Sequence, residues 1–140
     1  MSALKRQVIT AKDAPAPGAH LSHAMVHNGL VFCSGQLAID PKTKAMVEGT
    51  IADRTTQCLK NLAVVLEAAG SGVDKVLKVN IYVTDIKDVP LMNEAYCKFF
   101  AEPRPARACV AVKQLARGTD VEIECTAFVG DATDGIKSAL

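Results

Sequence analysis

Two stretches, RPARACVAVK at residues 104–113 and VEIEC at residues 121–125, are where we expect the rest of the chain to converge. Both alternate between apolar and other residues with a period of two, which is typical of β-strands. In the first stretch Arg107, Cys109 and Ala111 share one face, and Ala106, Ala108, Val110 and Val112 share the other. In the second, Glu122 and Glu124 share a face opposite three apolar residues. The pattern therefore predicts an arginine on one strand and two carboxylates on one face of another.

The composition indicates a single ordered domain. A chain of 140 residues with 49% hydrophobic and 22% charged residues can bury a real core but is too short for two of them. A net charge of +1 gives no electrostatic case for binding nucleic acid or an anionic membrane surface. No apolar run reaches the length of a membrane span. We therefore expect one domain over residues 1–140, with a core over about 20–130 and a tail over 131–140.

The five cysteines indicate a reducing compartment. They are odd in number, form no CxxC pair and fall inside hydrophobic periodic segments, so we interpret them as buried reduced thiols. The N-terminal residues lack the long apolar region of a secretory signal. The expected location is the cytoplasm, with the mitochondrial matrix as the alternative.

Two helices are predicted. From Thr50 to Ala69 the apolar residues recur at helical spacing, Thr50 and Asp53 can form a capping box, and Gly70 stands where a helix ends. A second helix is predicted over 88–100, with a proline in its first turn and prolines after its end.

Strands are predicted on both sides of these helices, and the dipeptide Asn28-Gly29 predicts a hairpin. The resulting order is that of an α+β domain, a mixed sheet with both helices on one face. The second face, where we place Cys109 and Ala111, is expected to need a partner. The predicted strands lie at residues 4–9, 20–26, 30–34, 77–83, 106–113 and 121–129.

Several segments resemble one known family. They are Ser34-Gly35-Gln36 after a hydrophobic strand, LEAAG at 66–70, the spacing of Asn93, Tyr96, Phe99 and Phe100, and the two opening stretches. In this order they are similar to the reactive-intermediate deaminase (Rid) family, also called L-PSP endoribonucleases or translation inhibitors. The resemblance implies a chorismate-mutase-like fold and a homotrimer whose three sheets form a central barrel, with ligand sites between subunits.

The resemblance also implies roles for individual residues. Arg107 would hold the substrate carboxylate, which suits a guanidinium because it donates two parallel hydrogen bonds. Glu122 would activate the attacking water and cycle between base and acid. Gly35, Asn93 and Cys109 would line the substrate site, and no cofactor is implied. The residues alone leave open an ordinary ion pair between Arg107 and one of the two glutamates.

One segment departs from the family pattern. Typical members carry a tyrosine where this chain has Leu21, so the hydroxyl that reaches the ligand is missing, and His20 or His23 could take its place. The spacing of His20, His23 and His27 is poor for zinc, because residues three apart in an extended segment point to opposite faces. We expect no metal site, and solvent-exposed or capping histidines.

The resulting hypothesis is an enzyme that hydrolyses 2-iminopropanoate and 2-iminobutanoate to 2-oxo acids and ammonia. The alternative is a protein that binds 2-oxo acids in the same intersubunit cleft without catalysis. A ribonuclease or translation inhibitor is less well supported, because the chain has no basic stripe and no aromatic stacking platform. The expected partners are a small 2-imino or 2-oxo acid and two further copies of the chain, with no membrane and no nucleic acid.

Overall fold

The computed structural model of the chain describes residues 5–130, so the tail predicted over 131–140 lies outside the described residues. Neither helix within this range is both long and apolar enough to cross a membrane. The strands and helices are β1 (Gln7–Ile9), β2 (Ala24–His27), β3 (Leu30–Gln36), α1 (Ile51–Ala68), β4 (Val76–Val83), α2 (Val89–Phe99), β5 (Ala106–Ala111) and β6 (Val121–Phe128).

The six strands form one sheet in the order β1-β2-β3-β6-β4-β5. Neighbouring strands are antiparallel except β4 and β5, which are parallel and joined through α2. The turn of the β2–β3 hairpin is Asn28-Gly29, with φ of 50° and 78°, the left-handed conformation that a tight hairpin requires. The predicted α+β class with a mixed sheet is confirmed. The second strand begins at Ala24, four residues later than predicted, because the preceding residues form a loop.

Helix α1 is set by local sequence and stabilised by burial. The Thr50 side chain accepts a hydrogen bond from the Asp53 N–H, and the Asp53 carboxylate accepts one from the Thr50 N–H. At the other end Gly70 has a φ of 76°, which ends the helix without strain. The inner side of the helix packs on the sheet through fully buried residues at helical spacing, among them Cys58, Leu59, Leu62, Val65 and Leu66.

The helices cover the sheet face that carries Val79 and Ile81 of β4 and Val121 and Ile123 of β6, all at most 1% exposed. The opposite face carries the polar residues that alternate with them. It also carries Phe32 and Val110, each 48% exposed, which are large apolar side chains left uncovered in a single chain.

The sequence placed Cys109 and Ala111 on this uncovered face, and that prediction is wrong. Cys109 is in register with Ile81, and Ala111 is in register with Val83, both of which point into the core. Because residues in register across a sheet point to the same side, Cys109 and Ala111 lie on the helix side.

The cysteines are all free thiols, but they are not all buried. Cys33, Cys58 and Cys125 are in the core, Cys109 is half-buried, and Cys97 is exposed on α2. The prediction was therefore wrong for Cys97, whose position next to Tyr96 places it just off the buried stripe of the helix.

Asn61 of α1 fixes the loop that follows β3. Its side chain is 2% exposed, and its Nδ2 donates to the carbonyls of Leu37 and Ile39 at 3.1 and 2.9 Å. We expect Asn61→Ala to lower the free energy of unfolding by roughly 1–3 kcal/mol, because it leaves these buried carbonyls unpaired. Urea denaturation measures this, with Lys60→Ala on the exposed side of the same helix as the control. Equal stability of the two variants would contradict the assignment.

Candidate functional site

The carboxyl group of Glu122 lies against the main chain of Gly35. The pairing of β3 with β6 shifts register between Cys33 and Gln36, so Gly35 lies in an irregular part of its strand. A Cβ atom at Gly35 would collide with the carboxyl oxygen of Glu122 and lie 2.9 Å from its Cδ. The glycine therefore allows this carboxyl group to pack directly on backbone, which is a close approach that no other residue permits.

Glu122 and Glu124 point to the same side, but their surroundings differ. Glu124 accepts hydrogen bonds from the Tyr82 hydroxyl at 2.6 Å and from Asn80 Nδ2 at 3.2 Å. The carboxyl group of Glu122 makes no hydrogen bond to any residue in the described range 5–130. Burial, and secondly the charge of Glu124, raise the pKa of the Glu122 carboxyl above its ordinary value. The carboxylate of Glu124 is thus held by hydrogen bonds from β4. The carboxyl group of Glu122 is left free to exchange a proton or to bind a ligand.

Glu122 and Gly35 line a cavity of about 680 Å³. Its other walls come from the loop before β2, the residues after β3 and the turn before β6, and they include residues 14–18, His20, Leu21, Leu37, Ile39 and Arg117. Leu21, the residue that stands in place of the expected tyrosine, is 45% exposed. It contributes apolar surface to this cavity.

His23 braces the loop and is not free to bind a ligand. It is 3% exposed, its Nδ1 accepts from the N–H of Ala11 at 3.0 Å, and its Nε2 lies 2.8 Å from the carbonyl of Pro15. Because Nδ1 is the acceptor, the proton must be on Nε2, which donates to Pro15. The prediction was of solvent-exposed or capping histidines; His23 is not solvent-exposed, and its ring instead hydrogen-bonds to main chain. With both nitrogens used, it cannot replace the missing hydroxyl or ligate a metal, whereas His20 is exposed and lines the cavity.

Arg107 is held by helix α2. Its Nη1 donates to Asn93 Oδ1 at 2.7 Å, and its guanidinium carbon lies 4.7 Å from the centroid of the Tyr96 ring. This is its one side-chain hydrogen bond to residues 5–130, so the remaining N–H groups are available to a ligand. Cys109 follows on the same side of β5, and burial raises the pKa of its thiol, with the charge of Arg107 opposing this. Cys109 is therefore suited to lining a site as a neutral thiol rather than to nucleophilic attack.

A single chain does not bring Arg107 and Glu122 together. Arg107 is in register with Val79, on the helix side, whereas Glu122 is in register with Tyr82, on the uncovered side. The ion pairs within residues 5–130 are Arg54–Asp120 and Arg104–Glu102. The structure therefore excludes the predicted alternative in which Arg107 pairs with Glu122 or Glu124 of its own chain. It leaves two candidate half-sites, one around Arg107 and one around Glu122, on opposite faces of one sheet.

The comparisons with known proteins agree with the fold and identify the family. The family model described as Endoribonuclease L-PSP matches residues 11–129. The chain belongs to the Rid family. Among its relatives, Protein HMF1 of Saccharomyces cerevisiae is 45% identical over 88% of this chain and 95% of its own length. The 2-iminobutanoate/2-iminopropanoate deaminase of Homo sapiens is 36% identical over 95% of this chain and 97% of its own. The crystal structure of RidA from the Antarctic bacterium Psychrobacter is 36% identical and superposes with a TM-score of 0.84, covering 88% of this chain and 99% of that one.

Two parts of the site in this Rid protein were not found from its sequence. One is the ring of Tyr96: its spacing of three residues from Asn93 places both on the side of α2 that faces β5, where the ring contacts the Arg107 guanidinium. The other is the loop of residues 12–18, which forms a wall of the cavity. A loop without periodicity gives no sequence signal of what it will cover.

Proposed function

We propose that the protein hydrolyses small 2-imino acids, 2-iminopropanoate and 2-iminobutanoate, to the 2-oxo acids and ammonia. The observation that carries the proposal is the state of Glu122: a half-buried carboxyl group of raised pKa, without a hydrogen-bond partner in residues 5–130, lining a cavity. A carboxyl group whose pKa is raised above its ordinary value is suited to accept a proton from water and return it.

The second half-site supplies the substrate anchor. Arg107 is oriented by Asn93 and Tyr96 and retains N–H groups for the two parallel hydrogen bonds that a carboxylate accepts. With the substrate carboxylate held there, Glu122 directs water to C2 of the imine. The main chain at Gly35 and Cys109 closes the site around the small substrate. The reaction needs no cofactor, because the imine carbon is already electrophilic and water is the nucleophile.

Assembly as a homotrimer completes the site. Since Arg107 and Glu122 lie on opposite faces of the sheet, one chain must supply the arginine and its neighbour the carboxylate. The uncovered face that carries Phe32 and Val110 supports such an assembly, because large exposed apolar side chains on one face are typical of an interface. We place the protein in the cytoplasm or the mitochondrial matrix, where its five thiols stay reduced.

A second candidate function is binding of 2-oxo acids without turnover. The observation that favours it is Leu21, which gives the cavity an apolar side chain at the position where the family carries a hydroxyl. A ribonuclease remains without support from the site, since a net charge of +1 provides no basic surface for a phosphate backbone.

A coupled assay tests the proposal. A serine/threonine dehydratase generates the imine in place, and formation of the 2-oxo acid is followed with and without this protein. We expect acceleration by the wild type and none by Arg107→Ala. Lack of acceleration by folded, assembled wild type, together with saturable binding of pyruvate, would establish the binding function instead.

Tyr96 offers a sharper test of the anchor. Its hydroxyl is buried without a hydrogen-bond partner in the described residues, so the ring rather than the hydroxyl is expected to matter. We expect Tyr96→Phe to leave KM near the wild-type value. Tyr96→Leu removes the ring under the guanidinium and should raise KM by about 3- to 30-fold, the equivalent of a partly desolvated cation–π contact. An equal KM for the two variants would show that the ring does not position Arg107.

A further inference from the structure

His20 lines the cavity in a conformation that Gly18, two residues before it, makes possible. The Leu21 N–H donates to the Gly18 carbonyl at 3.2 Å, which closes a turn with His20 inside it. The imidazole folds back over Gly18: a Cβ atom at Gly18 would lie 2.5 Å from His20 Cε1 and 3.0 Å from Nδ1. The ring therefore occupies the space that a side chain at residue 18 would take, and both residues line the cavity that contains Glu122.

The other titratable or charged groups that line this cavity are committed or chemically unsuited. Apart from Glu122, they are Lys12, His23, Asp40, Lys44 and Arg117. The carboxylate of Asp40 accepts the N–H groups of Lys42 and Thr43, which lower its pKa and keep it ionised. Both nitrogens of His23 are hydrogen-bonded to main chain. A guanidinium does not release its proton at physiological pH, and a solvated lysine ammonium releases it poorly. Glu122 and His20 are the two groups of the cavity with a free site for proton transfer.

Each of the two steps of imine hydrolysis moves one proton off oxygen and one onto nitrogen. In the first step water loses a proton as its oxygen bonds to C2, and the π electron pair of the C=N bond moves to the nitrogen, which takes up a proton. In the second step the amino nitrogen takes up another proton, the C–N bond breaks with its electron pair leaving on the nitrogen as ammonia, and the new hydroxyl on C2 loses its proton as the carbonyl forms. A single carboxyl group must change its protonation state between these events, whereas two groups can act together.

We propose that His20 donates the proton to the departing nitrogen, while Glu122 positions the water and accepts its proton. The inference rests on the proposed function and divides its proton transfers between two residues. Imidazole suits this task because its charge changes within the physiological pH range. Leu21, next to it, offers no proton, so the turn presents His20 as its one acid to the cavity.

The pH dependence of kcat tests this, measured with the dehydratase in excess and after subtraction of the uncatalysed rate. The wild type should lose activity as the pH rises, because a general acid must carry its proton to act. His20→Gln should lower kcat by about 10²-fold with little change in KM, and the fall at high pH should disappear, because a positioned acid contributes about this factor. Gly18→Ala keeps the imidazole but displaces it, so kcat should drop while the high-pH fall remains.

His27→Gln is the matched control, since His27 is exposed on β2 and does not line the cavity; it should behave as the wild type. If the wild type turns over and His20→Gln matches it in kcat and in its high-pH fall, the role of His20 is refuted and the deaminase function stands. If the folded wild type shows no turnover, the proposed function fails and this inference fails with it.

Discussion

Mixing two inactive variants, Arg107→Ala and Glu122→Gln, is expected to restore activity that neither shows alone. The two residues lie on opposite faces of one sheet, in register with Val79 and with Tyr82 respectively. A site that uses both must therefore take them from two chains. In a trimer formed at random from equal amounts, about one quarter of the sites receive the intact arginine from one chain and the intact carboxylate from the next, because each interface is heterologous. Activity after co-refolding should reach about one quarter of the wild-type value by this count.

The double variant gives the matching control. When Arg107→Ala/Glu122→Gln is mixed with an equal amount of wild type, a site between two chains retains about one quarter of full activity, whereas a site within one chain retains about half. Two affinity tags on the different chains verify that subunits have exchanged. Exchanged trimers without restored activity would refute the division of the site between chains.

The parts of the fold that were predictable are those set by local chemistry. Helix α1 was predicted within one residue of its observed ends because its capping box, Thr50 and Asp53, and its terminal Gly70 act within one turn of the helix. The loop before β2 had no such signal. Its position depends on His23, whose two hydrogen bonds reach residues 11 and 15, and this is a contact that only the folded chain can show.

Alternation predicted which residues of β5 share a face, but not which face the helices cover. Apart from Arg107, both faces of this edge strand are small or apolar, so Cys109 and Ala111 were assigned to the wrong side. The pattern of β4 shows which face the helices cover, because Val79, Ile81 and Val83 are buried and Lys78 is exposed. The parallel register of β4 with β5 then determines which residues of β5 point to the helices. Register is a tertiary property that the sequence of β5 does not contain.

The choice between Glu122 and Glu124 was likewise beyond pattern reasoning, since the two occupy equivalent positions of one strand. Partners from β4 distinguish them: Tyr82 and Asn80 bind Glu124, and Glu122 is left unpaired within the described residues. The alternation therefore predicted two carboxyl groups on one face, and hydrogen bonds from the neighbouring strand distinguish them.

Gly35→Ala is expected to lower kcat by about 10²-fold while leaving the protein folded, because a displacement of about 1 Å at a reacting group costs this much. The added Cβ would overlap the Glu122 carboxyl group, which must rotate away from the main chain it packs on. The backbone at Gly35 has no positive φ, so alanine introduces no conformational strain of its own. Gly72→Ala is the matched control: its Cβ would also meet a carboxylate oxygen, that of Asp74 at 2.9 Å, outside the cavity.

The pH profile of Gly35→Ala distinguishes displacement of Glu122 from general damage. Burial is the main reason that the Glu122 pKa is raised, and Glu122 must be ionised to accept a proton from water, so wild-type kcat falls as the pH drops through this raised pKa. A carboxyl group rotated toward solvent loses part of that burial, and its pKa moves down toward the ordinary value. The low-pH fall should therefore shift to lower pH in Gly35→Ala and stay in place in Gly72→Ala. A reduced kcat with an unshifted profile would show that another group accepts the proton.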